Sequence, residues 1–325
     1  MKKRIFIIVI ALLMCFTISG CNSDKTKLAI SRNVTSSKFE KNIIRPFAKK
    51  NNSDINLLTD DKNADIIELS QLDAAKENKA GRFKKLDYKR IANFKYLSNE
   101  QQKLAKETNS VPLSMERLSM VYDSRRIGPP YFFYDLWNQE QVKSIALPDI
   151  TTKFGPAIIY LGNDYDHYRS TSSYVSDEVE NHGQDSFRAL RELEAYTRIY
   201  KNQTELINLF EKKQINVAVV GTSTAEKLIQ RMPYLRVTDG HQITNTVVYQ
   251  MAAVSKDSKN IELSYKYLNY LLSKNIQKKM NSLESVSDNL SVEVKNKELI
   301  VTTMNSNLVL DELGGWKKEW DQIFY

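Results

Sequence analysis

An α/β architecture in two lobes, with mostly parallel sheets and helices on both faces, is predicted by three observations. Four times along the chain a short apolar run meets a polar Ser/Thr/Asp corner and then an amphipathic helix. The apolar runs alternate too little for one-sided strands, as expected of strands covered on both faces. The chain has 325 residues, 42% of them hydrophobic and 26% charged, with a mean hydropathy of −0.46. That is enough material for more than one core.

The opening segment, MKKRIFIIVIALLMCFTISGC, is an address rather than part of the fold. Lys2, Lys3 and Arg4 form a positive start, Ile5 to Thr17 is an apolar run too short for a settled transmembrane helix, and Ser19-Gly20 supplies small residues for cleavage. Ile18-Ser19-Gly20-Cys21 resembles the bacterial lipobox, with isoleucine in place of the commoner leucine. The resemblance implies a signal peptide over residues 1–20, a lipidated Cys21, and a protein held on the extracellular face of the cell membrane by its lipid. Residues 21–27 then form a short polar tether. A Gram-positive source is expected from this anchor together with the lysine-rich, glycine-poor composition.

The folded body starts at Leu28. Leu28-Ala29-Ile30 leads through Ser31-Arg32-Asn33 into a helix from about Ser37 to Lys50. Asp65 to Leu69 leads through Ser70-Gln71 into a short helix around Leu72 to Asn78. Ser144 to Leu147 leads through Pro148 to Thr152 into a helix near Pro156 to Leu161. Ile215 to Val220 leads through Gly221 to Thr224 into a helix from Ala225 to about Arg231. In open α/β sheets the carboxyl ends of strands and the amino ends of the following helices face one crevice, where ligands bind. The corner residues Ser31, Arg32, Ser70, Gln71, Thr151, Thr152, Thr222, Ser223 and Thr224 are therefore candidate ligand contacts. Ser223 to Glu226 also reads as a capping box, and Ser70 to Asp73 has a related spacing, so these hydroxyls have a second use as helix caps.

Little in the chain asks for catalysis. The only cysteines are Cys15, inside the leader, and Cys21, which leaves no disulfide, thiol nucleophile or cysteine zinc site. His167, His182 and His241 lie far apart without metal-ligand spacing, and no G-x-S-x-G, P-loop or GxGxxG motif occurs. The expectation is no catalytic residue, no metal and no cofactor; an enzyme would have to draw on Asp149, His182 or Asp239. The formal charge is +8, and without Lys2, Lys3 and Arg4 there remain 44 basic against 39 acidic residues, +5. Scattered lysines at that modest excess fit an anionic membrane or wall surface and give no nucleic-acid partner.

The order of segments resembles the extracellular solute-binding proteins of ABC importers, in the branch of the polyamine, ferric-iron and thiamine binders. Lys38 to Lys50 looks like that branch's first helix, and Ala64 to Ser70 like its "ADvv..s" strand, with the Gly-x-hydrophobic-x-x-Leu-Asp pattern following at Gly81 to Asp87. VPLSMERLSMVYD, Val111 to Asp123, is similar to the segment that crosses to the second lobe, with Asp135-Leu136-Trp137 after it. Asn260 to Ser273 resembles a late lobe-1 helix and Trp316 to Ile323 the closing tryptophan-rich helix.

The resemblance implies a two-lobed type II periplasmic-binding-protein fold that closes over one small solute and delivers it, as a monomer, to a membrane permease and its ATPase. Lobe 1 would take residues 28–114, the crossing strand and lobe 2 residues 115–252, and residues 253–325 would return to lobe 1 and end in helices packed across both lobes. Hinge strands are expected near Ser114 to Tyr122 and Val247 to Ser255. In polyamine binders the corner matching Asp149 to Lys153 carries carboxylates, and a tryptophan stands near the position of Val220-Gly221-Thr222. Here one acid, Asp149, remains and the aromatic is missing, which departs from the polyamine binders, while the hydroxyl-rich corners and Arg32 suit an anionic or zwitterionic solute. Arg32 would pair with its anion and the corner hydroxyls would donate to its other oxygens. Glu116 and Arg117, adjacent on the crossing segment, either pair with each other or reach the ligand. The adjacent tyrosines of ferric-iron binders are absent, and Tyr131 and Tyr134 are expected to pack.

Overall fold

The architecture follows from one alternation, visible in the second lobe: successive residues of each strand enter different cores. In the computed structural model, which describes residues 25–32, 37–171, 179, 181–238, 244–284 and 300–325, Val217 and Val219 join one apolar cluster while Ala218 and Val220 join another. A strand apolar on both sides must be covered on both sides, which places helices on each face of the sheet. The leader, Cys21, Asp239 and His241 lie outside the described residues.

The first lobe begins with β1 (Thr26–Ser31), a helical stretch α1, and β2 (Ser53–Leu58). α1 is built of α-helical Ser37–Phe39, a π-helical Glu40–Ile44 and α-helical Arg45–Lys50. Its Phe39, Ile43, Ile44 and Phe47 are buried in the first core. β3 (Ile66–Ser70) follows, then α2 (Gln71–Lys79) and α3 (Asn99–Thr108). β1 pairs in parallel with β2 on one side and β3 on the other.

Two long strands tie the lobes together. β4 (Val111–Asp123) pairs through Val111 to Arg117 with the antiparallel β9 (Thr244–Val254), which in turn pairs antiparallel with β3. Beyond Arg117, β4 continues into the second lobe, where Leu118 to Tyr122 pairs antiparallel with β7 (Val217–Gly221). On its other edge β4 pairs with β8 (Leu235–Thr238). The parallel ladders thus belong to the strand-corner-helix units, and the antiparallel ones arise where β4 and β9 pass between lobes.

The second lobe's sheet is completed by β5 (Ile145–Pro148), parallel to both β6 (Thr197–Tyr200) and β7. One face carries α4 (Gly155–Thr171) and α5 (Gln184–Arg191); the other carries α6 (Gln203–Glu211) and α7 (Thr222–Arg231). The chain returns along β9 to the first core with α8 (Ile261–Leu271) and α9 (Lys274–Glu284). β10 (Ile300–Thr303) then lies parallel to the start of β9, and α10 (Ser306–Phe324) buries Val309, Trp316, Trp320 and Ile323 in the second core. Among the described residues no helix is long and apolar enough to cross a membrane.

Candidate functional site

The second and third corners meet at the seam between the lobes. There Ser70, Gln71 and Leu72 of the first lobe face Lys153 and Pro156 of the second. Leu72 reaches far enough to pack against the second core. Ser70 caps α2 as its spacing predicts: its hydroxyl accepts from the Asp73 N–H at 3.2 Å and donates to the Asp73 carboxylate at 2.7 Å. Gln71 is buried, and its amide donates to the Met304 carbonyl (2.7 Å) and the Ser306 hydroxyl (2.9 Å). It braces α2 against the segment entering α10.

The fourth corner differs from the expected capping box. α7 starts at Thr222, so Ser223 lies inside the helix, and its own N-cap residue, Gly221, offers no side chain. The cap comes from β4: Glu116 Oε1 accepts the Ser223 N–H at 3.0 Å and the Ser223 hydroxyl as well. A carboxylate at a helix amino end satisfies a free N–H and meets the positive end of the dipole. The other oxygen, Oε2, holds the Lys153 ammonium at 2.8 Å. The Glu116 side chain is 8% exposed and that of Lys153 36%. Thr222 donates to the Arg117 carbonyl at 3.0 Å, and Thr224 is half-buried on the first turn of α7.

An aromatic ring that the sequence reading did not place, Phe154, lies close to Gly221. A Cβ on Gly221 would stand 2.4 Å from the Phe154 ring and 2.5 Å from Glu116 Oε1, so glycine is what lets the ring and the carboxylate come together. Phe154 also lies 5.2 Å from the Lys153 ammonium.

At the third corner Asp149 is buried and turned toward the carboxyl end of the chain. Its Oδ1 accepts from the Thr151 N–H (3.0 Å) and hydroxyl, and its Oδ2 from the Tyr325 hydroxyl (2.8 Å). Burial raises its pKa, but the Thr151 and Tyr325 hydrogen bonds and the Lys201 charge outweigh that and hold the carboxyl below its usual value. Thr152 closes the turn through its hydroxyl on the Asp149 carbonyl at 2.7 Å.

The first corner does not line this seam. Ser31 donates to Asp61 at 3.0 Å. Arg32 stacks 3.7 Å over Phe39 and pairs at 2.9 Å with Glu68, whose side chain is 1% exposed and also accepts from Tyr267 at 3.2 Å. The guanidinium expected to meet a ligand anion is matched to a buried carboxylate of its own lobe. Sequence reasoning also missed Lys153, Phe154 and Tyr325, whose partners are distant in sequence and are set by the fold. Of the loop tyrosines, Tyr134 stacks on Tyr168 at 4.7 Å, whereas Tyr131 is exposed rather than packed. Among the described residues no cluster of His, Cys, Asp or Glu could hold a metal ion.

The fold is that of the type II periplasmic-binding proteins. An ABC transporter protein from Clostridium perfringens superposes with a TM-score of 0.77 at 22% identity, covering 93% of this chain and all of the other. The spermidine/putrescine transporter substrate-binding protein PotD of Streptococcus pneumoniae, in complex with calcium and HEPES, gives 0.66 at 16%, covering 92% and 99%. The binding protein AgtB of A. tumefaciens R10, in complex with agropinic acid, gives 0.63 at 13%, covering 92% and 98%. No protein-family profile matches the sequence, and no curated protein matches it.

Proposed function

We propose that this chain is the substrate-binding subunit of an ABC importer, capturing a small polar solute between its lobes and presenting it to a membrane permease. One observation carries the reading: β4 crosses from the first sheet to the second without interruption, and polar corners of both lobes meet at the seam beside that crossing. Two rigid sheets joined by continuous strands can close as a hinge, and a solute bridging the corners would stabilise the closed form. Cys21 anchors the protein by lipid on the outer face of the membrane, which keeps it near its permease.

The solute is anionic or zwitterionic on this reading. The buried acid beside the seam, Glu116, is already matched by Lys153, whose side chain is 36% exposed, while the hydroxyls of Ser70, Thr151 and Thr152 already donate within their own turns. A small net-neutral or acidic solute leaves no buried charge unmatched there, whereas a polycation does. Thermal unfolding of the full-length protein in detergent against carboxylates, phosphonates, phosphate esters, amino acids, sugars and polyamines tests this. Binding to the native state alone raises stability in proportion to the logarithm of ligand concentration over Kd. A rise with an acidic or zwitterionic compound, together with solute-dependent uptake in cells, supports the proposal. A rise with polyamines alone overturns the solute class, and flat curves throughout overturn the solute-binding role.

A further inference from the structure

We propose that Glu116 and Phe154 form a receptor for a primary ammonium group, and that Lys153 occupies it as a tethered ligand, so that the cleft refuses amines. The inference deepens the solute-binding reading and rests on it for the biological meaning of that refusal.

Three features build the receptor. The carboxylate is fixed, because its Oε1 is held by the Ser223 N–H and hydroxyl, and its Oε2 takes the Lys153 ammonium. The edge of the Phe154 ring and Glu116 Oε1 both come within 2.5 Å of the point where a Cβ on Gly221 would stand, room that only a glycine leaves. The ammonium is the more exposed part: at 2.8 Å from Oε2 and 5.2 Å from the Phe154 ring it meets both groups, and its side chain is over four times as exposed as that of Glu116. A buried carboxylate beside an aromatic face is the chemistry that recognises an alkylammonium ion from any source. A lysine on the neighbouring turn competes for it intramolecularly, at an effective concentration on the order of millimolar or above. A free amine must displace it, and a solute without a cation need not.

The test is chemical rescue in the full-length protein, with ethylammonium chloride as probe and sodium chloride at equal ionic strength as control. Lys153→Ala leaves Glu116 unmatched, so the variant should melt below wild type and be restored by ethylammonium. Its affinity for the probe should exceed that of wild type by about tenfold or more, the gain expected once the tethered competitor is gone. Adding Glu116→Gln to Lys153→Ala should abolish the rescue, and Lys153→Met, which fills the space without charge, should show none. If Lys153→Ala does not fold unaided, its refolding yield with and without ethylammonium reads the same quantity. A folded Lys153→Ala indifferent to the amine, a refolding yield indifferent to it, or a wild type that binds it equally well, overturns the proposal. None of these readouts involves the natural solute or the permease, so failure of the import reading and failure of this one are separable.

Discussion

Replacing Glu116 should separate two contributions that the fold has combined in one side chain. Glu116→Gln preserves shape and leaves a carbonyl oxygen to accept from Ser223, but removes the charge facing Lys153 and the α7 amino end. Loss of a negative charge at a helix amino end costs about 0.3–1 kcal/mol, and of a half-exposed ion pair about 0.2–1 kcal/mol. The glutamine variant should therefore lose about 0.5–2 kcal/mol. Glu116→Ala loses the cap as well, a further 0.5–2 kcal/mol or so. Lys153, at 36% side-chain exposure, can turn to water, so the larger penalty of a stranded buried charge should not apply. The total for alanine is about 1–4 kcal/mol. Urea unfolding followed by a probe in the second lobe, with Lys153→Ala and the double variant completing a cycle, measures each part. An alanine variant within about 0.5 kcal/mol of wild type would show that α7 is capped some other way. Equal losses for glutamine and alanine would show that only the charge matters.

Gly221→Ala should cost about 1–3 kcal/mol, because its methyl would overlap the Phe154 ring and Glu116, and the rescue by amines of Lys153→Ala should weaken with it; an unperturbed melting curve refutes the close packing. Arg32→Ala strands Glu68 among buried groups and should cost about 3–5 kcal/mol of stability, with solute affinity per folded molecule unchanged; calorimetric titration on the folded fraction decides between this and a ligand role. Because the pKa of Asp149 is depressed in the folded state, its contribution is complete above the unfolded value of about 3.9 and is lost as pH falls through the folded value. Asp149→Asn should therefore be less stable at neutral pH and flatten the stability profile below about pH 4, as followed by circular dichroism. Cys21→Ala should release the protein from the membrane fraction and abolish incorporation of labelled fatty acid; retention of label elsewhere would refute anchoring at that residue.

The strand-corner-helix units were legible because each is encoded locally, in the switch from an apolar run to capping residues to a helical period. Ser70 illustrates this: its partner is three residues away, and the cap forms as read. Boundaries failed where a residue has a tertiary reason. The third helix was expected to stop at Leu161, before a glycine and a polar stretch, yet α4 runs to Thr171. Gly162 is not a stop: a Cβ there would lie 2.9 Å from the Ser186 carbonyl, so its smallness serves the close approach of α4 and α5.

The site was harder to read for the same reason carried further. Charges at a cleft are assigned by partners, and a partner is a property of the fold. Arg32 and Glu68 are 36 residues apart, Lys153 and Glu116 37, and Ser223 and Glu116 107. Within one lobe, Arg32 meets a buried acid and becomes part of the scaffold. At the seam, Glu116 sits on the strand that both lobes share, so its pairing with Lys153 and Ser223 ties the third and fourth corners of the second lobe to that crossing strand. If the proposed solute binding holds, a solute that altered that pairing would act on the crossing strand directly, and binding would couple to closure without any longer-range pathway.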